Sequence, residues 1–280
     1  MNYLKNPWTP FFFDGCFLKL PVGKGMTFNI TALRPDWMTF LLKKLSSFQS
    51  EDECFFDVGA NLGQTLINYR TAEATKNYLG FEPDPYCIVY LKRLIELNKM
   101  TNTSIAPVGL SESERLLKLY SSSPTDSGAS LRSNLRPARK LYSSIVPTFK
   151  LDNVVRQLES KPVSLLKIDV EGWELEVLKG MPDIFQSERP IIVCEIIFRD
   201  VEASLKEHQQ RNREILDILA KYKYYIFQLI KTPDLKEIQG IKEIKEFSDE
   251  VWTVDNKHLC DYLFVPDNRK TQILDLFEKI

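Results

Sequence analysis

The chain is 280 residues long, 44% hydrophobic and 27% charged, which suits a globular protein with a sizeable core and excludes a disordered or fibrous one. A formal net charge of -1 gives no global attraction to nucleic acid or to an anionic membrane. Five scattered cysteines (Cys16, Cys54, Cys87, Cys194, Cys260) form no C-x-x-C pair, so free thiols in a reducing compartment are expected over disulfides or zinc. With no signal pattern and no apolar run of membrane-spanning length, the expected location is cytoplasmic.

Residues 1–50 are expected to form an N-terminal extension that packs on a main domain at 51–280. The aromatic cluster Trp8, Phe11, Phe12, Phe13 and Phe17 reads as a cover strand or edge, with contact to a membrane surface or lipid-linked substrate as the alternative. Residues 35–45 look helical, with Trp37, Phe40, Leu41 and Leu45 on one face. A strand at 54–58 follows and ends in Asp57-Val58-Gly59-Ala60-Asn61-Leu62-Gly63, with a helix from Gln64. Glycines at 59 and 63 let the chain turn and let a ligand approach main-chain N–H groups. A second strand, 77–81, ends in Glu82-Pro83-Asp84, and an acid there fits a carboxylate that takes both hydroxyls of a ribose.

The loop after the first strand lacks the middle glycine of G-x-G-x-x-G, and Asp57 would repel a pyrophosphate. A cationic, phosphate-free nucleoside such as S-adenosylmethionine suits it better than a dinucleotide. A helix at 85–98 and a strand at 104–108 complete the half-sheet of a doubly wound α/β fold. The polar turn around Ser111 could read an adenine edge. Residues 116–120 are expected as a hairpin strand outside the parallel core.

The stretch 121–144 is rich in serine and carries Arg132, Arg136, Arg139 and Lys140 against one acid, Asp126. It reads as a substrate loop or lid, in which case its cations would meet an anionic group on the substrate, or as a plain surface loop. After a short helix near 151–158 comes Lys167-Ile168-Asp169-Val170-Glu171-Gly172-Trp173-Glu174, a second strand–acid–glycine–helix unit. Lys167 and Asp169 share a strand face, so Lys167 is expected to pair with a carboxylate. The strand 191–195 ends in Glu195. Acids at four strand ends (Asp57, Glu82, Asp169, Glu195) imply a shared crevice. A long helix at 201–222, a strand at 224–230, a charged surface stretch at 231–250, a strand at 262–265 and a helix at 271–277 finish the chain.

These motifs, together with Thr148 to Val154 and Glu195 in the same order, resemble the FkbM-type methyltransferases over residues 54–197. The resemblance implies a mostly parallel, seven-stranded, Rossmann-like class I methyltransferase sheet with a reversed hairpin. It also implies S-adenosylmethionine as cofactor and methylation of oxygen on sugars, polyketides or related products. By position, Asp57, Gly59, Asn61 and Gly63 would line the methionine end and Glu82, with Pro83, the ribose. Asp169 is the first candidate for general base, with Glu171 and Glu195 as alternatives. No metal ligands are assigned, although a divalent cation held by carboxylates such as Asp169 and Glu195 is a secondary option. The rival readings are a nicotinamide oxidoreductase on the same kind of sheet and a non-catalytic binding protein that keeps the fold.

Overall fold

A computed structural model describes residues 7–22, 36–123, 126–133, 135, 142–199 and 204–280. In chain order the described strands are β1 (Trp8–Phe13), β2 (Cys16–Pro21), β3 (Cys54–Val58), β4 (Asn77–Phe81), β5 (Thr103–Ala106), β6 (Gly109–Leu110), β7 (Arg115–Ser121), β8 (Tyr142–Phe149), β9 (Val163–Ile168), β10 (Ile191–Glu195), β11 (Tyr224–Lys231), β12 (Ile238–Ile244) and β13 (Asp261–Pro266). The helices are α1 (Trp37–Leu45), α2 (Gln64–Ala72), α3 (Pro85–Asn98), α4 (Leu151–Leu158), α5 (Glu174–Lys179), α6 (Pro182–Ser187), α7 (Leu205–Lys221) and α8 (Lys270–Leu276).

Eight strands form the central sheet in the order β12-β11-β13-β10-β9-β3-β4-β5. The run from β5 to β10 is parallel, while β13 enters antiparallel between β10 and β11. Strands buried on both faces read as unbroken apolar runs, which is why Cys54–Val58 and Ile191–Glu195 stand out in the sequence. Successive side chains point to opposite faces. Phe55, Leu165 and Ile191 accordingly pack on the layer of α1, α2 and α3, whereas Phe56, Leu166 and Ile192 pack on the layer of α5, α6 and α7.

The first two strands form an antiparallel hairpin whose Phe11, Phe13, Leu18 and Leu20 join the α1–α3 layer. Asn98 at the end of α3 clamps Lys19, accepting from its N–H at 2.7 Å and donating to its carbonyl at 2.9 Å. Phe12 and Phe17, an edge-to-face pair, instead face solvent at 75% and 50% exposure. In α1 the buried stripe includes Met38 and Leu42, and Phe40 turns outward. The charged stretch after Lys231, expected as loop and short helix, contains an eighth strand, β12, on the edge beside β11. A small sheet, β6-β8-β7, stands off the parallel core; β7 was expected there, and its partner β8 begins inside the stretch expected as loop. Among the described residues no helix is long and apolar enough to cross a membrane.

Candidate active site

The parallel strands end on one rim, and the turns that leave them bound a cavity of about 320 Å³, within the range of small-molecule sites. The turn after β3 is shaped by Gly59 at φ +86° and Asn61 at φ +45°. The N–H groups of Gly59 and Ala60 donate to the Phe81 carbonyl, and that of Asn61 donates to Glu82 Oε2 at 2.8 Å. Glu82 Oε1 accepts from the Asp84 N–H at 2.7 Å. Burial pushes the Glu82 carboxyl up to about 7, against the pull of those two backbone donors. Each oxygen keeps a lone pair for a ligand, and both Glu82 and Pro83 line the cavity.

On the opposite wall Lys167, Asp169, Glu171 and Glu195 converge. The Lys167 ammonium lies 3.2 Å from Asp169 Oδ2 and 3.6 Å from Asp57 Oδ1. Burial alone would raise Asp169, but the Lys167 charge and a hydrogen bond with Glu195 outweigh it and hold Asp169 below the usual carboxylate range. Glu195 is driven well above that range, first by burial and then by the charges of Asp169, Asp261 and Glu171. The two shifts run in opposite directions: these surroundings favour the ionised form of Asp169 and the protonated form of Glu195. Asp169 opens onto the cavity, with 38% of its side chain accessible.

Asp57 is not in the cavity wall. It points beneath the turn, fully buried, and accepts from the Tyr78 hydroxyl at 2.5 Å. Its other oxygen faces the Lys167 ammonium, so Asp57 braces Lys167. Gly63 stands off the cavity as well, against Leu91 and Leu94 at the start of α2. Ser111 lies behind the wall: its N–H is used by the Phe149 carbonyl, and its own carbonyl packs on Gly180.

Sequence reasoning gave no site role to Tyr78 or Trp173, and the stretch it read as a substrate loop, a lid or a plain surface loop contributes Asp126, Ser127, Ala129 and Leu131 to the cavity wall as a strap. The strap crosses the mouth from Asn61, whose Nδ2 donates to the Asp126 carbonyl, to the turn after β9, where Ser130 Oγ donates to the Glu171 carbonyl at 2.7 Å. The lone acid in a basic stretch was the available signal for it. Arg132 pairs with Glu207, whereas Arg136, Arg139 and Lys140 lie outside the described residues. His208 faces Ser248 and Asn212, away from the cavity.

Asp169, Glu171 and Glu195 bring one oxygen each within 4.8 Å of one another. The Lys167 ammonium already supplies a cation to this group, and none of the three is assigned as a metal ligand.

A parallel sheet with its reversed strand between β10 and β11, and its acids at the ends of β4, β9 and β10, has the architecture of the Rossmann-like class I methyltransferases. Residues 57–226, more than half of the chain, match the family model described as the methyltransferase FkbM domain. The chain belongs to the FkbM methyltransferase family, whose cofactor is S-adenosylmethionine. It is similar to a hexuronic acid methyltransferase, AglP, of Haloferax volcanii (30% identity, 55% of this chain and 60% of that protein). It is also similar to Methyltransferase 1 of Beauveria bassiana (27% identity, 48% of this chain and 60% of that protein). Among solved structures it resembles the methyltransferase FkbM of Methylobacillus flagellatus KT (TM-score 0.47, 16% identity, 85% of this chain and 52% of that chain). The chain thus spans about 60% of the length of the curated relatives it matches.

The residues present fit an adenosyl cofactor. Glu82 offers a carboxylate to a diol, while Asn61 Oδ1 and Trp173 Nε1 are buried on the cavity wall without a hydrogen-bond partner among the described residues. An orphaned acceptor and an orphaned donor are costly unless a ligand satisfies them.

Proposed function

We propose that this chain methylates a hydroxyl oxygen on a sugar, glycan or related metabolite, with Asp169 as general base. The observation that carries this reading is the Lys167–Asp169–Glu195 group, which keeps one carboxylate ionised on a cavity wall facing the nucleoside-binding turn. S-adenosylmethionine, when bound, supplies an electrophilic methyl group. Glu82, Pro83 and the Asn61 turn hold the nucleoside, and the strap from Asp126 to Leu131 limits water. A sugar hydroxyl is a weak acid, so its proton must leave as the oxygen attacks. The Asp169 carboxylate, which opens onto the cavity, takes that proton. Glu195, whose surroundings favour its protonated form, is less suited to that step. Trp173 offers an aromatic wall to an acceptor beside these acids. Oxygen as the acceptor atom is supported by this base and by the hexuronic acid methyltransferase among the relatives. An anionic acceptor group would draw on the basic stretch around Arg132.

S-adenosylhomocysteine at about 100 times its Kd should stabilise the chain by roughly 2.7 kcal/mol, a rise in Tm of about 5 °C. NAD should give none, and Glu82→Ala should remove most of the shift. Labelled methyl should pass from S-adenosylmethionine into a component of a host extract. Asp169→Asn should abolish that transfer at least about 100-fold while leaving the S-adenosylhomocysteine shift in place; equal loss of both would remove Asp169 from the role of base.

A further inference from the structure

The acids of the cavity are the visible end of a longer row. Across the rim, Asp57 on β3 lies beside Lys167 on β9, and Asp169 follows Lys167. Glu195 on β10 stands directly opposite Asp261 on β13. Cross-strand partners point to the same face, and like charges placed opposite each other repel. The contact is tolerated because Asp261 is ion-paired to Lys231, at the end of β11. Lys231 is buried, with its ammonium 4.1 Å from the centre of the Trp37 ring, so it is held by a cation–π contact as well as by the pair. Neither Lys231 nor Asp261 lines the cavity.

We propose that the Lys231–Asp261 pair is a positioning element of the active site that sets the charge of the Asp169–Glu195 pair from behind, and with it the preference for a cationic over a neutral cofactor. The inference rests on the methyltransferase reading above. Fully ionised, the four acids Asp57, Asp169, Glu195 and Asp261 outnumber Lys167 and Lys231 by two charges. One proton shared by Asp169 and Glu195 relieves part of that excess. The other groups that face the row include Glu171 and Glu174 after β9, Glu82 and Tyr78 beside Asp57, Cys194 on β10, and Asp36, which caps α1 and lies in the field of Lys231 and Asp261. Removing Lys231 adds a negative charge to the row, so its proton is held to higher pH. Removing the charge of Asp261 does the reverse, and removing both restores the balance. The acids titrate as a unit, and the shift belongs to the group.

The readout needs no acceptor. S-adenosylmethionine carries a sulfonium that S-adenosylhomocysteine lacks, so the ratio of their Kd values reports the charge of the wall. Calorimetric titration of both ligands from pH 5 to 9 should show S-adenosylmethionine gaining on S-adenosylhomocysteine as pH rises through the loss of the shared proton. Lys231→Met should move that midpoint up by about one pH unit and Asp261→Asn should move it down by a similar amount. The double variant and Lys231→Arg should return it to the parent value. If Lys231→Met does not fold, Asp261→Asn and the double variant carry the test. A ratio that is flat with pH in the parent chain, or single variants that bind S-adenosylhomocysteine with an unmoved midpoint, would overturn the inference. Failure of the parent chain to bind either ligand would instead overturn the reading on which it rests.

Discussion

Gly59 occupies a position that no other residue fits. Its φ of +86° is costly for any side chain, and a Cβ there would lie 1.9 Å from the Asp169 carbonyl oxygen. That carbonyl belongs to a residue whose own N–H is tied to Val58 at 3.0 Å, so neither backbone can yield. Gly59→Ala should destabilise the chain by at least about 3 kcal/mol, the sum of strain and overpacking. Gly15→Ala, at φ +81° with nothing within 4 Å, should cost only about 1 kcal/mol. Urea midpoints for the two variants measure the difference, and equal losses would refute the steric account. Glu82 and Glu174 both sit near 7, well above the ordinary 4.5, because burial penalises their charged forms. A raised folded-state value means that the folded chain keeps a proton the unfolded chain has released. The stabilisation is therefore complete below about pH 4.5 and is lost as pH climbs through 7. The ligand-free protein should lose Tm between about pH 4.5 and 7, and Glu82→Gln should flatten part of that slope, as a pH series of thermal melts would show. The turn glycines and Glu82 were legible because tight turns and strand-end acids leave composition signals. The burial of Asp57 was not, since a strand-end acid gives no sign of whether it faces a ligand or braces a lysine.

At the scale of elements, the N-terminal hairpin tests whether the first fifty residues share the core. Leu20 is fully buried in the same cluster as Leu41 and Leu91. Leu20→Ala should cost about 2–4 kcal/mol within a single cooperative urea transition, whereas Phe12→Ser, on the outward face, should stay within about 0.5 kcal/mol. A separate early transition in Leu20→Ala would make the hairpin an independent appendage. The parallel strands were readable because burial on both faces leaves only apolar residues between two turns. Strand β12 was not, because its Ile238, Ile241 and Ile244 recur every third residue with Gln239, Lys242 and Glu243 between them, which breaks strand alternation and imitates a charged loop. Strand β8 was hidden for a related reason: its outward Ser143 and Ile145 belong to a small sheet away from the main core. Helix α1 was placed correctly and Trp37, Leu41 and Leu45 of its expected face are buried, but Phe40 is exposed while Met38 and Leu42 go inside, since only packing decides between such adjacent apolar residues.

At the scale of the whole molecule, the cavity is lined by residues from the carboxyl ends of the parallel strands and the turns that leave them, and by the strap; neither the hairpin nor β12 contributes a lining residue. That division predicts a footprint. Hydrogen exchange followed by mass spectrometry, with and without S-adenosylhomocysteine, should show slowed exchange in peptides covering 58–64, 81–85, 108–110, 126–131 and 167–173. Peptides covering 8–21 and 238–244 should not change. The strap gives the sharper comparison. The bonds that hold it include Asn61 Nδ2 to the Asp126 carbonyl, Ser130 Oγ to the Glu171 carbonyl and the Ser130–Tyr120 backbone pair, and lying outside the central ladder its amides should exchange faster than those of β3 in the free chain. Ligand should slow it by more than it slows the already protected β3. If the hairpin were protected and the strap were not, the binding site would lie on the other side of the sheet, and the assignment of the rim acids to the cofactor would fall with it.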